Sequence, residues 1–372
     1  WSIGVRSPFM VSIRATARFL GHVGRDLLGT MRSRVRRTYD WVVYGSDEVV
    51  VGVDVFPFAE TMTGIGWYEW NLLAALDRRD DGLRYNLYAH TFLAPGEQPP
   101  PVPGTRKMRL RTHQVPDGFL FPMGLSLWFL RRVIEPVLCF LDGNDLLFAP
   151  NFFPPRRQGF FGRRLVVTVH DLAFAVEPEM VAPETLRELR SQFPGALRRA
   201  ERIIAVSAAT AGDLVEHFEV APGRIHTIHE GLDPRFARTA DLVEPDAELP
   251  DDYLLFVSTI EPRKNFLGVL RAFSLMVEWG YGGKLVVAGR WGWRTDGIKA
   301  EWEASPVRDR IVHLDYVARE RMVAVYSQAR ALIFPSWIEG FGLPILESMA
   351  CGTPVVTSGR SAMPEVAGPA GV

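Results

Sequence analysis

The stretch "FPSWIEGFGLPILESMACGTPVV", Phe334 to Val356, decides the fold. An apolar, β-rich run "ALIFPS" ends at Ser336, a loop with two glycines follows, and Pro344 then stands where the first turn of a short helix belongs. Gly352 sits where that helix needs a C-terminal cap. Strand, loop and helix in this order form the repeating unit of a parallel sheet with crossover helices. The loop then lies at the carboxyl end of a strand, where such sheets hold ligands.

The chemistry of the loop follows from its residues. Gly340 and Gly342 permit tight backbone geometry, and the first amides of the helix favour an anion. Glu339 precedes the loop, and Glu347 follows it by eight positions, one turn into the helix and facing back. Two carboxylates repel a bare phosphate. They suit a sugar nucleotide, whose hydroxyls they accept as charge-assisted hydrogen bonds while the amides meet the diphosphate. Either glutamate alone reads more simply as a solvated residue on a capped helix; the whole pattern E-G-F-G-L-P-x-x-E is far more specific.

Working outward, "STIEPRKN", Ser258 to Asn265, follows the strand "YLLFVS" and opens a helix, with Arg263 and Lys264 side by side. Cations are disfavoured at a helix N-terminus, so this pair predicts a bound anion. "VVTVHDLAF" places His170 and Asp171 just after another strand, and "TGIGWYEWNLL" places Gly64 and Gly66 between the first strand and its helix. A G-x-G by itself is weak evidence.

Alternating strands and helices run from Val49 to Asp233, and Ser207 is the expected N-cap of a helix ending near Phe218. The pattern stops in "DPRFARTADLVEPDAELPDD" and restarts at "YLLFVS". The expected division is a basic extension at 1–48, an α/β domain at 49–235, a linker at 236–250 and a second α/β domain at 251–372, facing the first across a cleft.

The chain has 372 residues, 47% hydrophobic and 23% charged, with a formal net charge of −1, so no global basic excess announces a nucleic-acid binder. Its two cysteines, Cys139 and Cys351, have no metal-ligand spacing and support neither a disulfide framework nor a zinc site. No apolar run reaches the roughly 18 residues a spanning helix needs. The first forty residues hold eight arginines against two aspartates, a composition that suits either a solvated extension or contact with an anionic membrane surface.

Together "EPRKN", "VHDLAF", "AVSAATAGDL", "AGRWGW" and "PSWIEGFGLPILESMACGTPVV" resemble the retaining glycosyltransferases of family 4, from about Val49 onward. The resemblance implies two Rossmann-like domains of the GT-B fold, the first binding acceptor and the second a nucleotide-diphosphate sugar. It also implies a hexosyltransferase with no required metal and no cofactor, and the two isolated cysteines fit a reducing, cytoplasmic compartment. By matching position, Glu339 and the amides of Gly340, Phe341, Gly342 and Leu343 hold the donor sugar, Glu347 the ribose, and Arg263 and Lys264 the diphosphate. His170 faces a donor hydroxyl with Asp171 beside it, and Gly64 and Gly66 shape the acceptor side. "VHDL" and "AGRWGW" lean toward the mannosyltransferases, so mannose from GDP-mannose is favoured over glucose from UDP-glucose, with a glycan or lipid-linked acceptor. Two departures stand out: "EGLD", Glu230 to Asp233, where relatives carry Asn-Gly-Val-Asp, and Trp67 in the glycine loop. Relatives also continue into helices beyond "PEVAG", which this sequence is expected to lack. The alternatives are a glycoside hydrolase, which also uses paired carboxylates, and a non-catalytic nucleotide-sugar-binding protein.

Overall fold

A computed structural model of the chain describes residues 18–26, 28–29, 49–59, 62, 64–89, 92–104, 106–116, 127, 130–134, 142–152, 164–237 and 245–371. Most of the arginine-rich N-terminal stretch and Cys139 lie outside the described residues. Cys351 is a buried free thiol.

The first sheet has seven strands: β1 (Val49–Asp54), β2 (Leu83–Tyr88), β4 (Met108–Leu110), β6 (Leu146–Ala149), β7 (Arg164–Val169), β8 (Arg202–Ala205) and β9 (Ile225–Thr227). Their order is β4-β2-β1-β6-β7-β8-β9, and β1 pairs in parallel with both β2 and β6. Two short strands, β3 (Phe92–Leu93) and β5 (His113–Gln114), pair separately. The second sheet, in the order β12-β11-β10-β13-β14, comprises β10 (Tyr253–Val257), β11 (Lys284–Ala288), β12 (Ile311–Asp315), β13 (Ala331–Phe334) and β14 (Val355–Thr357). All four of its pairings are parallel.

Alternation along β10 shows why helices cover both faces of the second sheet. Tyr253 and Leu255 enter a core with Phe236, Tyr326 and Ile345, whereas Leu254 and Phe256 enter another with Phe266, Leu270 and Phe273. A strand buried on both faces reads as the continuous apolar run "YLLFV". Phe236 and Leu249, near the two ends of the expected 236–250 linker, are both buried in the first of these cores. Ser207 caps the helix Ala208–Phe218 as expected, its hydroxyl accepting from the Thr210 amide at 3.0 Å.

The chain divides into two compact units, Trp1–Thr168 with Ala196–Ile203, and Val169–Gly195 with Ile204–Val372. The boundary passes through β7 and β8. His170 and Asp171 therefore belong to the same unit as the second sheet, whereas Gly64 and Gly66 belong to the other.

In the first unit, the helix Gly64–Asp77 turns Gly66, Glu69 and Leu73 inward. Glu69 is fully buried, and neither carboxylate oxygen has a hydrogen-bond partner among the described residues. Burial, aided by the charge of Asp54 at the end of β1, pushes its carboxyl up to about 9. The folded state thus holds a proton that the unfolded state releases above its ordinary value of 4.5. Stability contributed through this group is full below that value and declines as pH rises toward 9. Glu69→Gln, which has no charge to suppress, is expected to melt on the order of 5–10 °C above the parent at pH 8 and close to it at pH 5, by scanning calorimetry. An equal difference at both pH values contradicts this.

Candidate active site

β10 and β13 are parallel neighbours, so the loops leaving their carboxyl ends lie side by side. That places "EPRKN" against "PSWIEGFG". The Trp337 amide donates to the Arg263 carbonyl at 2.9 Å, and the Asn265 side-chain amide donates to the Pro335 carbonyl at 3.2 Å. These two bonds, one between backbones and one from the Asn265 side chain, fix the register in which the loops meet.

Arg263 and Lys264 do not occupy the first turn of a helix. They lie in a 3-10 turn, Pro262–Lys264, and Asn265, at φ 54°, separates it from the helix Phe266–Glu278. The expected conflict with a helix dipole is therefore absent, and their countercharge is supplied by carboxylates. Lys264 Nζ lies 2.6 Å from Glu339 Oε1, and Arg263 Nη1 lies 3.2 Å from Glu339 Oε2. Arg263 also donates through Nε to Glu261 at 3.0 Å and sits 3.5 Å from Asp171. Three carboxylates thus face two cations, four of these five groups having been singled out in the sequence.

Glu339 and Lys264 are both buried. Burial alone would raise the Glu339 carboxyl, but the Lys264 and Arg263 charges outweigh it and hold the group below its ordinary value. Ser361 Oγ donates to the Glu339 carbonyl at 2.6 Å, which fixes the backbone as well as the side chain.

The two loop glycines have separate physical reasons. A Cβ on Gly340 would stand 1.4 Å from the His170 carbonyl oxygen, so the loop approaches the 169–171 segment too closely for any side chain. Gly342, at φ 105°, starts the helix Leu343–Ala350 from a left-handed conformation. The Thr210 hydroxyl lies 3.3 Å from the Gly340 carbonyl and 3.5 Å from that of His170, bridging the two segments. Phe341 packs on the His229 ring, with centroids 5.6 Å apart, and His229 Nε2 lies 2.6 Å from Glu365. Glu365 also accepts from the Ala208 amide at 2.9 Å.

His170 is buried with its Nδ1 3.0 Å from Glu230 Oε1. An ionised carboxylate only accepts, so this contact requires a proton on Nδ1, and in the neutral ring Nε2 is the acceptor. Glu230 is one of the two departures noted in the sequence, and its pairing with His170 was not foreseen.

Glu347 differs most from expectation. It is buried, with Oε1 3.0 Å from Arg319 Nη2 and Oε2 accepting from the Tyr326 hydroxyl at 2.8 Å. Burial raises its carboxyl despite Arg319 and the Tyr326 bond. Arg319 also pairs with Asp233 at 3.1 Å. Glu347 is therefore anchored in its own polar network, whereas the ion cluster around Glu339 gathers Arg263, Lys264 and Asp171. Nothing local in the sequence marks Arg319 or Tyr326 as its partners.

Among the described residues no group of three or more His, Cys, Asp or Glu has the arrangement to hold a metal ion, and no helix is long and apolar enough to cross a membrane.

Residues 62–236 match the family described as Glycosyltransferase Family 4, and residues 239–371 match Glycosyl transferases group 1. The O-antigen chain mannosyltransferase B of Escherichia coli is 30% identical over 333 residues, covering 85% of this chain and 84% of that protein. Among solved structures, a sucrose-phosphate synthase from Thermosynechococcus elongatus aligns at a TM-score of 0.60 and 19% identity over 87% of this chain and 85% of its own. HepE from Anabaena in complex with UDP-glucose aligns at 0.58 and 16% identity over 85% and 82%. The two structures share the two-domain α/β fold; with the sequence matches, they show that the chain belongs to the family 4, group 1 glycosyltransferases of the GT-B fold.

Proposed function

We propose that this glycosyltransferase moves a hexose, mannose in preference to glucose, from a nucleotide-diphosphate sugar to a glycan or lipid-linked acceptor, with retention of configuration. The observation that carries the reading is the burial of Glu339 against Lys264 and Arg263 beside the glycine loop. The mannosyltransferase relative supports the sugar, and the neighbour's UDP-glucose complex supports a nucleotide-sugar donor. GDP-mannose is the favoured donor and UDP-glucose the second.

In this proposal the diphosphate competes for cations that Glu339 holds in the ligand-free chain. Arg263 offers a planar fork of donors and Lys264 a compact charge, so both can turn from carboxylate to phosphate oxygens. Glu339, released from them, accepts from the hydroxyls of the donor sugar, and the amides at Gly340, Phe341, Gly342 and Leu343 line its approach. His170, its ring fixed by Glu230, meets a further hydroxyl, with Asp171 holding Arg263. Glu347 keeps Arg319 and Tyr326 and uses its remaining lone pairs for the ribose.

The bond from the anomeric carbon to the diphosphate oxygen breaks, the acceptor oxygen bonds to the same face, and the acceptor proton passes to the departing diphosphate. Arg263 and Lys264 stabilise the leaving charge, the role a divalent cation would otherwise fill, so the reaction is proposed to need no metal or cofactor. Gly64 and Gly66 are assigned to the acceptor. A cytoplasmic location, with peripheral membrane contact through the arginine-rich N-terminal stretch, belongs to the same proposal and rests on the charge of that stretch.

Calorimetry tests the donor site directly. Arg263→Ala and Lys264→Ala, each verified as folded, are expected to weaken nucleoside diphosphate binding by about tenfold or more while leaving free-sugar binding unchanged; unaltered diphosphate affinity in both contradicts the assignment. Glu339→Gln removes the competitor, so it is expected to bind nucleoside diphosphate at least as tightly as the parent while turnover falls about tenfold or more. A loss of diphosphate affinity matching that of Arg263→Ala would exclude the exchange. For His170, Glu230→Ala is expected to lower kcat about tenfold or more, and Glu230→Gln, which still accepts from Nδ1, to recover most of it. Equal losses in the two variants contradict a ring-orienting role.

A further inference from the structure

A cavity of about 310 Å³ opens in the first unit between the helical segment 18–26 and the chain leaving β4, lined by His22, Arg25, Asp26, Arg109, Arg111 and His113 among others. β4 is an edge strand running parallel to β2, so this chain segment lies at the carboxyl end of the sheet, the end at which α/β sheets hold ligands. Apart from the membrane contact proposed for the N-terminal stretch as a whole, no role has been assigned to these residues above.

The cavity has a rigid base and an open rim. At the base, Arg111 is buried and bonded to Asp142 through Nε at 3.0 Å and Nη2 at 2.6 Å. Its Nη2 also lies 3.0 Å from Asp26, and Asp142 in turn accepts from the Tyr88 hydroxyl at 2.7 Å. His113 Nε2 stands 3.2 Å from Asp26, and Arg109 Nη2 donates to it at 3.0 Å. The Asp26 carboxylate is therefore surrounded by two guanidinium groups and an imidazole, and its charge is largely offset.

At the rim, Arg25 is exposed and has no ion-pair partner among the described residues, and Arg109 uses only one of its nitrogens. Counting Asp142 behind Arg111, three arginines face two aspartates. Burial pushes the His113 imidazole down. Two exposed guanidinium groups beside a fixed polar base offer the paired donors with which arginine binds phosphate oxygens.

We infer that this cavity binds a phosphate or diphosphate group, gripped by Arg25 and Arg109 over the Arg111–Asp26–His113 base. Leu20 and Leu28, on the same N-terminal stretch as Arg25, expose half or more of their surface. An amphipathic element of this kind suits a phosphate carried on a lipid, and free phosphate offers the same oxygens. The inference does not depend on the donor-site reading.

The test uses Arg25→Ala/Arg109→Ala, whose heads are exposed, against a control of equal charge change, Arg187→Ala/Arg271→Ala, on exposed helix surfaces of the other unit. Inorganic diphosphate is titrated calorimetrically with each pair of substitutions placed in an Arg263→Ala/Lys264→Ala background, so that the donor site does not report. Cosedimentation with vesicles of phosphatidylglycerol and phosphatidylcholine is measured in parallel. The expected result is a fall in diphosphate affinity of about tenfold or more in the pocket variant and little change in the control. A parallel loss of vesicle binding assigns the site to a lipid-borne phosphate, and unaltered vesicle binding assigns it to a soluble one. Unchanged diphosphate affinity in the pocket variant, or an equal fall in the control, overturns the inference.

Discussion

A single buried carboxylate organises the loops at the carboxyl ends of β10 and β13. Glu339 takes Lys264 on one oxygen and Arg263 on the other, and all three are mostly or wholly removed from solvent. A buried ion pair gains only part of the solvation it gives up, and breaking one by removing a single partner is costly because the other charge is stranded. Such a cluster is weak evidence for stability. In the proposed reading it is charge held ready for an anion that offers the cations a second partner.

The surrounding structure holds the cluster in register. The parallel pairing of β10 and β13 brings the two loops together, Gly340 lets the 339–342 loop close onto the His170 backbone, and Thr210 bridges both. His229 and Glu365 brace Phe341 from another side. Each contact joins segments distant in sequence.

That separation explains what the sequence could convey. The alternation of strands and helices, the Ser207 cap, and Pro344 and Gly352 at the ends of the short helix are local signals, and the structure carries them at those positions. The gathering of Arg263, Lys264 and Glu339 was legible because each follows a strand of one sheet. The partners that tune these groups were not. Glu230 reaches His170 across 60 residues, and Arg319 with Tyr326 encloses a glutamate expected to face a ligand. Pairings of that kind are set by tertiary packing and leave no periodic trace. Glu69 was equally hidden, since a glutamate among tryptophans reads as the solvent face of a helix until the packing shows it turned inward. The 3-10 turn at Pro262–Lys264 was missed because Asn265 in a left-handed conformation is not distinguishable by residue type from an ordinary helix start.

The most direct measurement of the central claim is the titration of the Glu339 carboxyl itself, followed by carbon NMR on glutamate-labelled protein and assigned by its loss in Glu339→Gln. In the free protein the group is predicted to titrate below an ordinary glutamate, because Lys264 and Arg263 hold its ionised form. With nucleoside diphosphate bound, those cations turn to phosphate and the titration should move upward. A carboxyl whose titration is the same with and without nucleoside diphosphate would contradict the exchange.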